Sequence, residues 1–464
     1  MKIVSKLKSP LFSAGLLLIL CGCAPPYSEP DSRKDSFYIN LYAYPLYVKN
    51  GFVPPESIRI PELSSDPWQV IQSKPDLRRS VSIKYTGLPD LPKRVFLSPF
   101  REKDREYTMV IPFTVSPEQF EQFNEKKSPQ PGIFLATLGD NWEIFLNGYR
   151  VKSEVHLDEE GQILSGRNWR YISLPLDRSM FVRGTNILAL RIIGAPNYDG
   201  TGLCYDDPYY IDEYEIIQKN HNEFLMMAFC GVYIFVGIYH LLLFLSRPRD
   251  RFNLYYCFFS AFLGIYSLMR SHSIYSLIPD TNITYQIEYA AIFMALPLLS
   301  AFLEHLSFGK TTIVTRVYGA FCLLLALAQW IFPRPFGDDI LRVWWVSDLF
   351  GFAYIIGYGI IYAFYRAVAE QKRAAGKPPR KALGDALIKT PQGNLILGVI
   401  IMSAAGVIDI LSSFFMNRGV FSVSNYGFFL FTITITLVLA RRFGSLFHRL
   451  DTMNTALERS NVNL

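Results

Sequence analysis

The sequence predicts a multi-domain membrane protein in which an all-β jelly-roll sandwich outside the cytoplasm precedes an all-α bundle of seven transmembrane helices. Three observations carry this reading. Apolar runs near membrane length recur between Phe224 and Ala440; residues 37–217 show instead short alternating runs broken by Gly, Pro, Asn and Asp; and Lys and Arg gather at every second joint between the apolar runs. A bilayer core needs about 20 apolar residues in a helix, alternation is the mark of half-buried strands, and basic joints face the cytoplasm.

The composition agrees with a mixed protein. The 464 residues are 50% hydrophobic, and the formal charge of +6 is concentrated at the basic joints. That placement makes the charge a topology signal and argues against a nucleic-acid partner. Of six cysteines, Cys230, Cys257 and Cys322 fall in expected helices, and Cys204 stands alone in the exported region, so no intramolecular disulfide is expected there.

In chain order, residues 1–22 read as a lipoprotein-type signal peptide. Lys2, Lys6 and Lys8 precede the apolar run Leu11 to Leu20, a charged start followed by a short apolar core. Leu20-Cys21-Gly22-Cys23 resembles a bacterial lipobox, which makes Cys23 the expected lipidation site. Cys21 stands where such motifs carry Ala, Ser or Thr, and an ordinary cleaved leader or an uncleaved anchor is the competing reading. Residues 23–36 form a tether without periodicity.

Residues 37–217 are read as a periplasmic β-sandwich. Strands are expected at Tyr107 to Val115, Ile133 to Leu138, Trp142 to Leu146, Tyr171 to Leu176 and Ile187 to Ile193. Ser116-Pro117-Glu118 supplies an N-cap, a first-turn proline and an acid for one short helix. Asn147-Gly148 suits a tight hairpin, and Gly184-Thr185-Asn186 leads into an apolar strand. The strings Leu138 to Gly148 and Phe181 to Leu190 resemble the galactose-binding-like jelly roll found beside the catalytic barrels of some glycosidases. The resemblance implies a fold and no particular ligand.

Two groups in this domain are candidates for ligand contact. Trp142, Trp169 and Tyr171 could offer flat faces to a sugar ring, although an aromatic on an alternating strand is more often core. Asp199, Asp206 and Asp207, with Asp212, lie in the acidic run Tyr198 to Glu213 and could present oxygens to a ligand or to calcium. Their spacing fits no EF-hand, and the competing reading is a solvated loop that packs the sandwich onto the helices. Glu159 and Glu160 are a polar turn. No phosphate loop, zinc spacing or nucleophile elbow is present, so the domain is expected to bind rather than catalyse, with no cofactor and no metal.

The expected spans are Phe224 to Leu245, Phe252 to Met269, Tyr285 to Leu306, Val314 to Phe332, Val343 to Tyr365, Leu395 to Phe415 and Val420 to Ala440. Basic residues such as Arg247, Lys310 and Lys372 fill the first, third and fifth joints, and Arg441 and Arg442 follow the last span. The N-terminal domain is therefore expected outside the cytoplasm and the C-terminus inside. Ionisable residues within spans are functional candidates by default. Asp409 is the deepest, readable as a conformational switch, a coupling-ion site, or a hydrogen-bonding group that holds helices together. Glu288, Asp348, Glu304, His305 and His240 are expected near the interfaces. Val420 to Ala440 contains no lysine for a retinal Schiff base, and no internal repeat favours a transporter.

The stretch Gly237 to Tyr256, from the first span through a short basic turn into the second, resembles the bacterial seven-transmembrane receptors with diverse intracellular signalling modules. The resemblance implies a periplasmic jelly roll for carbohydrate-like ligands, a seven-helix relay and a cytoplasmic output module. Residues 441–464 carry Phe443, Leu446, Leu450, Met453, Leu457 and Leu464 near heptad spacing. They are expected to form a coiled coil that supports a homodimer, or a basic amphipathic helix on the inner leaflet. No output module follows before Leu464, a departure from the family pattern. The expected function is a non-enzymatic inner-membrane receptor that senses a periplasmic small molecule and acts on a cytoplasmic signalling enzyme in trans. A transporter with a β-sandwich accessory domain, or an envelope scaffold, are the alternatives.

Overall fold

The computed structural model describes residues 38–60, 68–71, 105–124, 129–194, 201–203, 209–332, 336–375 and 423–462, with five further single positions between 383 and 398. Strands β1 (Ile39–Asn40), β2 (Leu46–Asn50), β3 (Gln69–Ile71) and β4 (Arg105–Val115) come first, followed by helix α1 (Pro117–Asn124). Then come β5 (Pro131–Gly139), β6 (Asn141–Leu146), β7 (Tyr149–Glu154), β8 (Trp169–Pro175), β9 (Gly184–Gly194), β10 (Gly202–Leu203) and β11 (Tyr209–Glu213). One sheet has the order β3-β2-β4-β9-β6-β7; in the other, β1, β11 and β5 are neighbours and β5 also pairs β8 and β10.

The alternation in the sequence sets the faces. On β4 and β9, paired from Arg105↔Gly194 to Val115↔Gly184, Tyr107, Met109, Ile111 and Phe113 and then Leu188, Leu190 and Ile192 enter one buried cluster. Trp142, Ile144 and Leu146 of β6 join it, as does Ile133 from the facing sheet. Asn147 and Gly148 close the β6–β7 hairpin with φ of 51° and 88°, the left-handed values their residue types tolerate. Ser116 caps α1 as expected, its Oγ accepting from Gln119 N at 3.1 Å while Gln119 Oε1 accepts from Ser116 N at 3.0 Å, a reciprocal capping box. On the outer face, Arg191 bridges Glu106 at 2.6 Å and Glu143 at 2.7 Å. Burial would raise the Glu143 carboxyl pKa, but its bonds to Arg191 prevail and hold it below the ordinary value.

Helix α2 (Tyr214–Asn220) leads to α3 (Phe224–Ser246), α4 (Phe252–Met269), α5 (Thr281–Phe308), α6 (Ile313–Ile331) and α7 (Phe336–Tyr354). Five helical stretches are long and apolar enough to cross a membrane, and they coincide with the first five expected spans. The sixth, Leu395 to Phe415, falls outside the described residues apart from single positions at its start. The seventh is part of α9 (Val423–Val462), a 40-residue helix that carries the last apolar segment and the tail without a break. Helix α5 starts at Thr281, ahead of its hydropathy run, because Asp280 caps it by accepting from Asn282 N at 2.9 Å.

The fifth span departs from a uniform α-helix. Ile355–Tyr362 is a π-helical segment between α7 and α8 (Ala363–Ala375), a form that recurs at functional places in helices. Tyr354, Tyr358 and Tyr362 stack along it with ring centroids 5.5 and 5.3 Å apart. Residues of α3, α4, α5, the π segment and α9 share one buried cluster built around Tyr256, Phe302 and Phe431.

Candidate functional site

The residues most worth explaining lie where the sandwich meets the loop between α4 and α5. The apolar core of the sandwich does not end at its sheets: Met269, Ile274 and Tyr275 belong to the same buried cluster as Trp142 and Trp169. The indole of Trp169, first residue of β8, stacks on Tyr275 with centroids 5.4 Å apart and planes 4° from parallel, and its Nε1 donates to Pro279 O at 3.2 Å.

Backbone bonds lock the same seam. Gly166 N donates to Asp280 Oδ1 at 3.2 Å, Thr281 N donates to Gly166 O at 3.0 Å, and Asn168 N donates to Thr281 Oγ1 at 3.2 Å. Asp280 thus caps α5 and holds the sandwich with one carboxylate. A Cβ at Gly166 would sit 2.8 Å from Thr281 Oγ1 and 3.2 Å from the Asn282 amide, so the absence of a side chain is what permits this approach. Gly166→Val is expected to destabilise the junction by about 1–3 kcal/mol through overpacking. The check is the melting temperature of the purified full chain, and an unchanged value would show that the seam does not contribute.

Beside the seam lies an ion cluster. Glu288, 2% exposed on α5, accepts from Arg170 Nη1 at 3.0 Å through Oε2 and from Arg270 Nη1 at 3.0 Å through Oε1. The Arg170 guanidinium also lies over the Tyr285 ring at 4.8 Å. Burial disfavours the charge on Arg170, yet Tyr285 and Glu288 outweigh it and hold its pKa well above the ordinary value, so it stays cationic. His272 Nδ1 donates to Arg170 O at 2.8 Å, which fixes the proton on that nitrogen. Glu223, just before α3, receives Ser273 Oγ at 2.7 Å and the His272 amide.

At the far end of α5 is a second buried carboxylate. Glu304, 1% exposed, accepts from Thr312 N at 2.6 Å and from Thr312 Oγ1, Thr315 Oγ1 and Tyr354 Oη, each at 2.8 Å. It ties α5 to the start of α6 and to the residue preceding the π segment. From Glu288 to Glu304 is a difference of 16 positions (304 − 288), or about 24 Å along a helix at 1.5 Å per residue. One helix therefore carries a buried carboxylate near each end, one bonded to the sandwich and the other to two neighbouring spans.

Several expectations change. Glu288 and Glu304, expected near the interfaces, are buried within the protein and hydrogen-bonded, and His240 is buried too, with Nδ1 3.0 Å from Asn253 Oδ1. Trp142 is 0% exposed and donates from Nε1 to Arg167 O at 2.8 Å, and Trp169 is 8% exposed. Both rings are in the core, with no face free for a sugar. Tyr171 is 39% exposed and has φ of 57°. Asp212 is buried in β11, its Oδ1 accepting from Glu213 N at 2.8 Å. Cys23, Asp199, Asp206, Asp207 and Asp409 lie outside the described residues. Among the described residues, no group of three or more His, Cys, Asp or Glu is placed to hold a metal. The residues sequence reasoning missed are Gly166, Arg170, Arg270, Thr312, Thr315 and Tyr354. Pro279-Asp280-Thr281 was the one local signal available, a helix start directly before an apolar run.

Residues 222–372 match the model of the family described as 7TM diverse intracellular signalling, the family the sequence resembles. With the five helices long and apolar enough to cross a membrane, this match makes the chain a multi-pass membrane protein whose first spans are similar to the membrane domain of that family. No curated protein matches the sequence. Among solved structures, a glycosyl hydrolase family 2 member from Bacteroides cellulosilyticus DSM 14838 is 13% identical with a TM-score of 0.25, covering 38% of this chain and 20% of the enzyme. A beta-glycosidase from Bacteroides vulgatus is 15% identical with a TM-score of 0.24 over the same shares. This chain thus spans about a fifth of those enzymes, and the likeness carries no inference about ligand or activity.

Proposed function

We propose that the chain is a bacterial inner-membrane receptor that senses a periplasmic ligand through its β-sandwich and relays the event along α5 to a cytoplasmic signalling partner. The observation that supports this most is the junction: the sandwich shares its apolar core, a hydrogen-bonded seam and the Glu288 cluster with the ends of α4 and α5. A tethered accessory domain needs none of these. A ligand that alters how β8 and its preceding loop sit can shift the helices by its differential affinity for the two arrangements, and α5 carries the shift to Glu304 and the π segment. The orientation rests on the basic joints. The ligand is expected to be a small molecule, carbohydrate-like by family resemblance, and lipidation at Cys23 would hold the sandwich against the same membrane. Asp409 is retained as the candidate switch within the spans.

The output is expected to leave through α9, which continues from the apolar segment into the tail without interruption. A full chain lacking residues 443–464 should insert normally yet abolish the protein's effect on the host's transcript profile, with the deletion matching a complete knockout. A truncated protein that still restores the parental profile would sink the receptor reading and leave transport or scaffolding in its place.

A further inference from the structure

The Glu288 cluster is unbalanced in charge. Two guanidiniums share one carboxylate, and the other charged group acting on Arg270 is Arg170 itself, which opposes it. Each guanidinium gives one hydrogen bond, through Nη1, although each carries five N–H donors. Among the described residues, neither guanidinium donates to a second partner. The Arg270 side chain is 44% exposed. As the cap of α4 it could be explained by the negative helix end alone, but Arg170 comes from the sandwich and has no such role.

The surroundings fit an anion. Tyr171, next to Arg170, adopts the left-handed φ of 57° that a tyrosine rarely takes and is 39% exposed. Strained residues of this kind gather where a particular side-chain direction is needed. The guanidinium of Arg270 lies over the Tyr266 ring at 5.5 Å and that of Arg170 over Tyr285 at 4.8 Å. Tyrosine and arginine at the end of an apolar helix sit at headgroup depth in a bilayer.

We propose that Arg170 and Arg270, held together by Glu288, form a binding site for one phosphate-type oxyanion at the junction of sandwich and helices. Two guanidinium forks suit the oxygens of such an anion. The depth of the site favours the phosphate of an anionic lipid headgroup, and soluble phosphate is the other source of the same chemistry. An occupant would neutralise the surplus charge and bind β8 to α4, so the lipid or anion would set how firmly the sandwich is coupled to the helices.

The test uses the full chain in neutral detergent, with phosphatidylglycerol, phosphatidylcholine or inorganic phosphate added, and follows the melting temperature. Phosphatidylglycerol is expected to raise it by about 3–6 °C, as ligands do for the state they bind, while phosphatidylcholine does not. Arg270→Gln should remove the rise. Arg270→Lys, which keeps a charge for Glu288, should fold like the parent and need at least about threefold more lipid for half of the effect, because the fork is lost. Arg249→Gln, at an exposed position on a different helix joint, should respond like the parent. A rise with inorganic phosphate as well identifies a soluble source and supports the site. The proposal is overturned if neither addition raises the melting temperature, if both Arg270 variants respond like the parent, or if Arg249→Gln loses the response equally.

Discussion

Glu288→Ala is expected to lower the stability of the folded chain by about 3–5 kcal/mol, because removing one partner of a buried ion cluster strands the others. Two arginines would then face each other across the sandwich–helix seam, Arg170 in a position where its side chain is 17% exposed. Glu288→Gln keeps the shape and one acceptor and should cost less. The companion variant is the apolar replacement Arg170→Met with Glu288→Leu and Arg270→Gln. Removing a whole buried ion group in favour of packed carbon is often near neutral, so this variant should melt close to the parent. If the cluster couples the two halves rather than merely stabilising them, the triple variant will fold and still fail to produce the parental transcript profile. Thermal unfolding of the purified chain measures the first effect. A Glu288→Ala protein that melts like the parent would mean that the two guanidiniums find other partners and that the cluster is not a clamp.

Glu304→Leu should have an effect of similar size at the other end of α5. Its carboxylate satisfies four donors, and a buried donor left without a partner costs about 1–3 kcal/mol. Partial relaxation of the two threonine hydroxyls and of Tyr354 toward other acceptors reduces the sum to about 3–5 kcal/mol, on the order seen for disrupted buried networks. The loss should be local. Thr312 caps α6, with Oγ1 accepting from Thr315 N at 3.3 Å, and Tyr354 precedes the π segment. Amide exchange in the full chain should therefore rise around residues 312–318 and 354–362 while the sandwich keeps its protection. Uniform exchange across all spans would show that Glu304 holds the whole bundle rather than one corner of it. Glu304→Gln keeps an acceptor and should fall between the two.

Much of the architecture could be read in the sequence, because it is written in periodicity. The run before Asn147-Gly148 became β6 and the turn its hairpin, the run before Ser116 became β4, and the second span matched at both ends, Phe252 to Met269. The junction could not be read in that way. Arg170 and Glu288 meet across a separation of 118 residues, and Trp169 finds Pro279 across 110; no local pattern encodes either contact. The aromatic candidates show the same limit in reverse. Trp142 and Trp169 have the residue type of a sugar platform, but their alternation phase places them inside, where indole N–H groups meet carbonyls instead of a ligand. Glu304 reads in the sequence only as an acid near the end of its span, because its partners, Thr312, Thr315 and Tyr354, come from other segments. The π segment was hidden for a different reason: its composition is that of any apolar span, and only the hydrogen-bond pattern distinguishes it.

The shared core of sandwich and helices also bears on how the protein is made. The sandwich leaves the ribosome before α4 and α5 exist, and domains ordinarily fold as units from the N-terminus. Here one edge of the first domain's core is completed late, because Met269, Ile274 and Tyr275 are supplied by a segment synthesised later. Until the loop between the second and third spans arrives, the face of Trp169 that stacks on Tyr275 stays uncovered. Maturation is thus ordered, with the helices completing the core of the domain that precedes them, and the sandwich produced alone is expected to be less stable than in the full chain.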